Sequence, residues 1–249
     1  MTGPDGLKER SPRDTLRTLA RAVGWDLRLQ LRHQIVTVAL LVTAAYGIGL
    51  RLLPEDWRDD VTVLLVLSDP TMIGFLFVGA LMLFERGAGT LHAVVVTPLS
   101  PSLYVWAKAL SLTAISVVCA LTMAVVGHGT DFRPVPLITA VVLTSLLFVF
   151  VGVAAVVRVR SLNEYLVIVP VFLVPLYLPL LGFLGLGGSW LYHLLPTQAS
   201  LLLIQRSLEP RPLWEVFYAV ALLVASTAGA FLWASKSFDA HVRGKGRSA

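Results

Sequence analysis

A chain of 249 residues with 56% hydrophobic and 14% charged residues, and a mean hydropathy of +0.78, cannot solvate the exterior of a soluble protein, because soluble domains carry about 25% charged residues. The length accommodates about six membrane-crossing helices of about 20 residues with short loops, and leaves no room for a second folded domain. The net charge of +5 lies beside apolar segments, which points to anionic lipid headgroups and away from nucleic acid.

The first residues, 1–12, read as a flexible, polar N-terminus. Ser11-Pro12-Arg13-Asp14 is a helix start: Ser11 can cap, Pro12 suits the first helical position, and Asp14 is the capping-box acid. Residues 13–33 then form an amphipathic helix. Leu16, Leu19, Ala20, Val23, Leu27 and Leu31 share one face, and Arg17, Arg21, Arg28 and Arg32 share an adjacent arc of roughly 60°. A helix of this pattern lies in the headgroup plane of a membrane, or packs on a protein partner.

Residues 34–234 carry six apolar segments of bilayer-spanning length. They run over 34–53, 61–84, 103–126, 134–157, 165–186 and 213–234. The second is interrupted by Ser68-Asp69-Pro70. Residues 235–249 are a basic tail. No cleavable signal peptide is expected, since the first apolar run begins near Ile35 after a basic stretch. Cys119 is the only cysteine, lies within an apolar run and packs there.

Basic residues orient the segments. With the N-terminus in the cytoplasm, the inner set is Lys8, Arg10, Arg13, Arg17, Arg21, Arg28, Arg32, Arg86, Lys108, Arg158, Arg160, Lys236, Arg243, Lys245 and Arg247. The outer set is only Arg51, Arg58, Arg133, Arg206 and Arg211. The expected fold is therefore an all-α integral membrane protein with six transmembrane helices and both termini inside.

Catalytic signatures are missing. There is no GxxxxGK[ST] phosphate loop, no HExxH and no GxSxG, and Gly244-Lys245-Gly246-Arg247 reads as a solvated basic tail. His33, His92, His128, His193 and His241 have no metal-ligand spacing, so no metal or catalytic residue is assigned. Asp69 is the one clear intramembrane acid. It reads in two ways: as an N-cap where the second span breaks and restarts at Pro70, or as a proton- or cation-coupling group.

The fifth segment contains Pro170, Pro175 and Pro179, which remove helical hydrogen bonds and mark a kink or gate. The stretch from Ser189 to Pro212 is too apolar for an ordinary loop and too interrupted for a span. Short re-entrant or interfacial helices on the outer leaflet, or a packed outer cap, fit that composition.

The first cytoplasmic loop is the most informative stretch: Glu85 to Lys108, ERGAGTLHAVVVTPLSPSLYVWAK. Glu85, Arg86 and Gly87 end the second span. Gly89-Thr90-Leu91 and the apolar Ala93–Val96 form a short element closed by Thr97-Pro98, and Ser100-Pro101 starts the next helix. Such an element presents an apolar knob to a cytoplasmic partner, or rests on lipid.

The acid ending span two, the GTL, the apolar run, TPLS and Tyr104-x-x-x-Lys108 together resemble the permease subunits of ABC-2 type exporters. The six segments, the amphipathic leading helix and the re-entrant-like outer stretch extend that resemblance over nearly the whole chain. Ser68-Asp69-Pro70, GFLFVGA from Gly74 and LFER ending at Arg86 resemble the actinobacterial fluoroquinolone-export permeases. The resemblance implies a permease of the bacterial plasma membrane that moves a drug or another hydrophobic solute. It implies a separate ATPase subunit that binds ATP and Mg, with no cofactor held by this chain. It also implies a second permease, identical or not, with the solute path between the two lined by spans one, two and five. On the same basis the loop from Glu85 to Ser102 is the coupling helix, with Glu85, Arg86, Gly89, Thr90, Leu91, Thr97 and Pro98 as the contact to the ATPase and Lys108 as a following marker. The competing readings are an ion-coupled secondary carrier using Asp69, and a membrane enzyme or assembly factor.

Overall fold

The computed structural model describes residues 12–32, 34–87, 101–210 and 212–245, and the elements among them are all helical. They are α1 (Pro12–Arg32), α2 (Ile35–Leu52), α3 (Glu55–Thr71), a π-helical segment (Met72–Phe77), α4 (Val78–Gly87), α5 (Pro101–His128), α6 (Pro134–Val156), α7 (Leu162–Leu176), α8 (Pro179–Phe183), a 3-10 turn (Trp190–Leu194), α9 (Pro196–Leu208) and α10 (Leu213–Lys245). Ser11 and the loop residues 88–100 lie outside the described residues, and with them the expected Ser11 cap.

α6 is the central helix. It carries no charge from end to end, and Phe148, Val149, Phe150, Val153, Ala154 and Ala155 are all fully buried. A helix apolar all round has no face to give to water, so its neighbours must cover it. α3 with its π segment, α5, α9 and α10 do so.

All six apolar segments of the sequence contain helix. Length and apolarity suffice for crossing a membrane in four helices: Glu55–Gly87, Ser102–His128, Pro134–Val156 and Leu213–Phe238. α1 and α2 meet that test only as a pair bent by 71°. Gln34, with φ of 59°, makes that corner. α7 is shorter than expected, because Pro175 and Pro179 crowd its end and the helix closes at Leu176. α10 continues past Ala234 through the basic stretch to Lys245.

The expected break at Asp69 is corrected. The second apolar segment is a single helical run from Glu55 to Gly87, and Asp69 lies inside it, so it caps nothing. Pro70 cannot donate a backbone hydrogen bond, and the chain answers by widening to π geometry over Met72–Phe77 instead of stopping. The Ser68 and Thr71 hydroxyls donate to the Leu64 and Leu67 carbonyls at 2.7 and 2.9 Å, which helps carry the helix across the irregular turn. The carbonyl of Phe75, in the widened turn, accepts the Tyr165 hydroxyl from α7 at 2.6 Å. Tyr165 is fully buried and stacks on Phe75 with ring centroids 5.6 Å apart.

Two glycines make this contact possible. A Cβ on Gly79 would stand 2.1 Å from the Tyr165 ring, and one on Gly152 would stand 2.6 Å from Val78 Cγ1. The first opens the slot for the ring, and the second lets α6 lie against the π turn.

The two sets of basic residues gather at opposite ends of the bundle. At one end Arg58 donates to the Leu50 and Leu53 carbonyls at 3.2 and 3.3 Å, Arg51 donates to Val126, and the Arg133 amide donates to Ser207 at 2.7 Å. At the other, Arg86 donates to the Val159 carbonyl at 2.9 Å and Arg158 lies 4.9 Å from the Trp233 ring centroid.

After α7 the chain doubles back. The Thr197 hydroxyl donates to the Leu176 carbonyl, Ser200 pairs with Thr144 at 2.6 Å, and Ser207 reaches Arg133. α9 therefore returns along α6 toward the Arg133 end. Gly185, with φ of 73°, permits the reversal.

Tyr165→Phe should keep the ring but remove one of the two hydrogen bonds that the Phe75 carbonyl accepts, the other coming from the Val78 amide, costing about 0.5–1.5 kcal/mol. Gly79→Ala should cost at least about as much, because the ring itself must leave its slot. Thermal unfolding in detergent checks both, and melting points equal to that of the unaltered chain would dismiss the docking.

Candidate functional site

Lys108 is the most unusual side chain of the described residues. It lies one helical turn past Tyr104 and one turn before Ser111 on α5, so the three share a face. Its side chain is 3% exposed. An ammonium so removed from water has to be neutralised by direct partners.

Those partners come from two distant elements. Asp26 of α1 and Glu85 of α4 both ion-pair with Lys108 Nζ, the latter at 2.5 Å. The Tyr104 hydroxyl donates to the other Glu85 oxygen, and the Ser111 hydroxyl donates to the other Asp26 oxygen. Gln30, one turn beyond Asp26, donates to Asp26 at 2.7 Å and to Ser111 at 3.2 Å. Phe238 of α10 stacks on Tyr104 with centroids 5.7 Å apart. Arg86 stands beside the cluster and ties it to the Val159 carbonyl. With Arg86, two formal positive charges offset two negative ones.

The arrangement can do two things. It fixes α1 against α5 and α4 through a polar contact buried from water. It also holds the last turn of α4, from which the loop 88–100 departs, to both of those helices.

Of the residues singled out from the sequence, the structure brings together Glu85 and Lys108, with Arg86 at the edge. Gly89, Thr90, Leu91, Thr97 and Pro98 lie outside the described residues. Asp69 lies within α3 and its Oδ2 is buried without a hydrogen-bond partner among the described residues. Pro70 is buried inside the same helix, Pro170 and Pro175 lie inside α7, and Pro179 opens α8.

Asp26, Gln30, Tyr104 and Ser111 complete the cluster, and of these only Tyr104 had a place in the motif. A signal for the α1 pair exists. At 100° per residue Asp26 and Gln30 fall on the border of the apolar arc opposite the arginines, where no solvated face needs them. Arg17, Arg21, Arg28 and Arg32 are all exposed, as are Trp25 and the arc ends Leu16 and Leu31.

An all-helical bundle with several bilayer-length apolar helices is the architecture of a polytopic membrane protein. Residues 17–245 match the fluoroquinolones export permease protein family, and the chain belongs to it. It is 31% identical over 233 residues to the fluoroquinolones export permease protein of Mycobacterium tuberculosis, in strains CDC 1551 / Oshkosh and ATCC 25618 / H37Rv alike. The match covers 90% of this chain and 96% of each relative.

Lys108→Met alone should leave two partly buried carboxylates without their cation and destabilise the protein by about 2–4 kcal/mol. Lys108→Met with Asp26→Asn and Glu85→Gln should recover most of that loss. Melting curves of the single and triple variants are the check, and a triple variant no better than the single would dismiss the ionic account.

Proposed function

We propose that this chain is the membrane-embedded permease subunit of an ATP-driven exporter, moving a drug or other hydrophobic solute out of the cell. A separate ATPase binds ATP and Mg and seats against the loop after α4. Six segments cross the plasma membrane, the fifth completed by α8, and both termini lie in the cytoplasm. α1 lies along the inner headgroups with its arginines toward lipid phosphates. A second permease, a copy or a sister chain, packs against the apolar side chains that α7 and α10 leave exposed, Val167, Val171, Phe217 and Val224 among them.

The observation that carries this reading is the Lys108 cluster at the root of that loop. Glu85 is the last acid before the loop, and a load on the loop acts first on it. Lys108 passes that load to α5, and Asp26 passes it to α1. The names of the relatives add the substrate class, since they are exporters of fluoroquinolones. The 15-to-5 division of Lys and Arg residues supports the orientation.

A second reading, an ion-coupled carrier, draws on the unpartnered Oδ2 of Asp69. A carrier usually has internal repeats and several intramembrane polar sites, and the sequence offers one clear acid.

Affinity purification in mild detergent should bring down an ATPase with the chain, and inside-out vesicles holding both should accumulate a fluoroquinolone only with ATP. A chain that never brings an ATPase with it sinks the proposal. Glu85→Gln should keep the ATPase bound while transport per ATP hydrolysed falls. Transport that follows the proton gradient, needs no ATP and is abolished by Asp69→Asn would favour the carrier.

A further inference from the structure

The end of the bundle away from Lys108 holds a cleft. It lies between α8, the Trp190–Leu194 turn and α9, and encloses about 370 Å³, a volume within the range of small-molecule sites. One face of α9 forms a wall: Gln198, Leu201, Leu202 and Gln205, the i, i+3, i+4 and i+7 positions of a helix. The rings of Phe183, Trp190 and Tyr192 stand among the other lining residues. Among the described residues, no Asp, Glu, Lys or Arg lines it.

The two glutamines need a physical reason. The side-chain hydrogen bonds that seat α9 are made by Thr197 and Ser200, not by Gln198 or Gln205. A half-buried primary amide between leucines costs free energy unless something hydrogen-bonds to it. Seven residues of helix set the two amides about 10 Å apart, with two leucines between them. The matching ligand is flat and aromatic in its middle and carries hydrogen-bonding groups at both ends. It needs no net charge, since no carboxylate, ammonium or guanidinium lines the cleft and His193 is its one ionisable imidazole.

The walls are held in place. The Tyr192 ring lies against Gly182, where an added Cβ would come within 3.1 Å of it, and the Tyr218 hydroxyl fixes the backbone of the turn at His193.

The geometry points to a binding site for a planar, uncharged or zwitterionic aromatic solute in the cleft between α9 and the Trp190–Leu194 turn, spanned by the Gln198 and Gln205 amides. It rests on the export reading for its solute class and adds a station for that solute at the end remote from the ATPase loop.

Equilibrium binding of ciprofloxacin to the purified chain in lipid nanodiscs, followed by the drug's fluorescence anisotropy, tests the site. Replacing both amides, Gln198→Leu with Gln205→Leu, should weaken binding about tenfold or more, as expected for the loss of two hydrogen bonds. The melting temperature should hold or rise, because leucine suits an apolar surface better than an unpaired amide. Leu202→Trp should fill the cleft and abolish binding. Unaltered affinity in both variants overturns the site. So does a loss of binding that tracks a fall in melting temperature, or binding seen in detergent and absent in nanodiscs, where lipid occupies the cleft. ATP-driven export is measured alongside. Export by the unaltered chain, with unaltered binding in the double variant, removes this site and leaves the export reading standing. An unaltered chain that neither exports nor binds removes both.

Discussion

A lysine ammonium withdrawn from water must be neutralised where it stands, and the end of the bundle where α1, α4 and α5 meet is organised by that requirement. Lys108 meets it with Asp26 and Glu85, which approach from opposite directions in the chain. Each carboxylate then has its second oxygen satisfied by a hydroxyl from the same face of α5. The Lys108 ammonium and all four carboxylate oxygens are thus partnered, the condition under which such a group is tolerated, while Gln30 Oε1 and the Arg86 Nε at the edge have no hydrogen-bond partner among the described residues. Because α1, α4 and α5 contribute to it, none of the three can shift alone without stranding a charge.

The middle of the bundle depends on a different economy, that of backbone carbonyls in an apolar setting. Pro70 removes one donor from the α3 run, and the run continues through a widened π turn. Hydroxyls from Ser68 and Thr71 act within the helix, and Tyr165 acts across from α7. Gly79 and Gly152 contribute by having no side chain at the two points of closest approach. The irregular turn is thus a docking feature of three helices and not a weak point of one.

The segment between α7 and α10 follows from the same rule. Its reversal is secured where Thr197 reaches Leu176 and where Ser200 reaches Thr144, so a non-spanning stretch is held against α6 with its polar groups paired. Gln198 and Gln205 depart from that pattern, since they face the cleft rather than the bundle.

The sequence by itself determined the helical class, the apolar segments that contain helix and the gathering of basic residues at two ends, because periodicity and charge are local and leave a readable pattern. It also carried Glu85 and Tyr104-x-x-x-Lys108 as a motif, without saying that they touch. Only the tertiary structure decided that touch, the role of Asp26, and the continuity of the helix through Asp69 and Pro70. Lys108 and Asp26 are 82 residues apart and Tyr165 and Phe75 are 90 apart, so neither pairing has a period to betray it. A proline ends a helix or widens it according to what its neighbours can donate, and those neighbours are set by the fold.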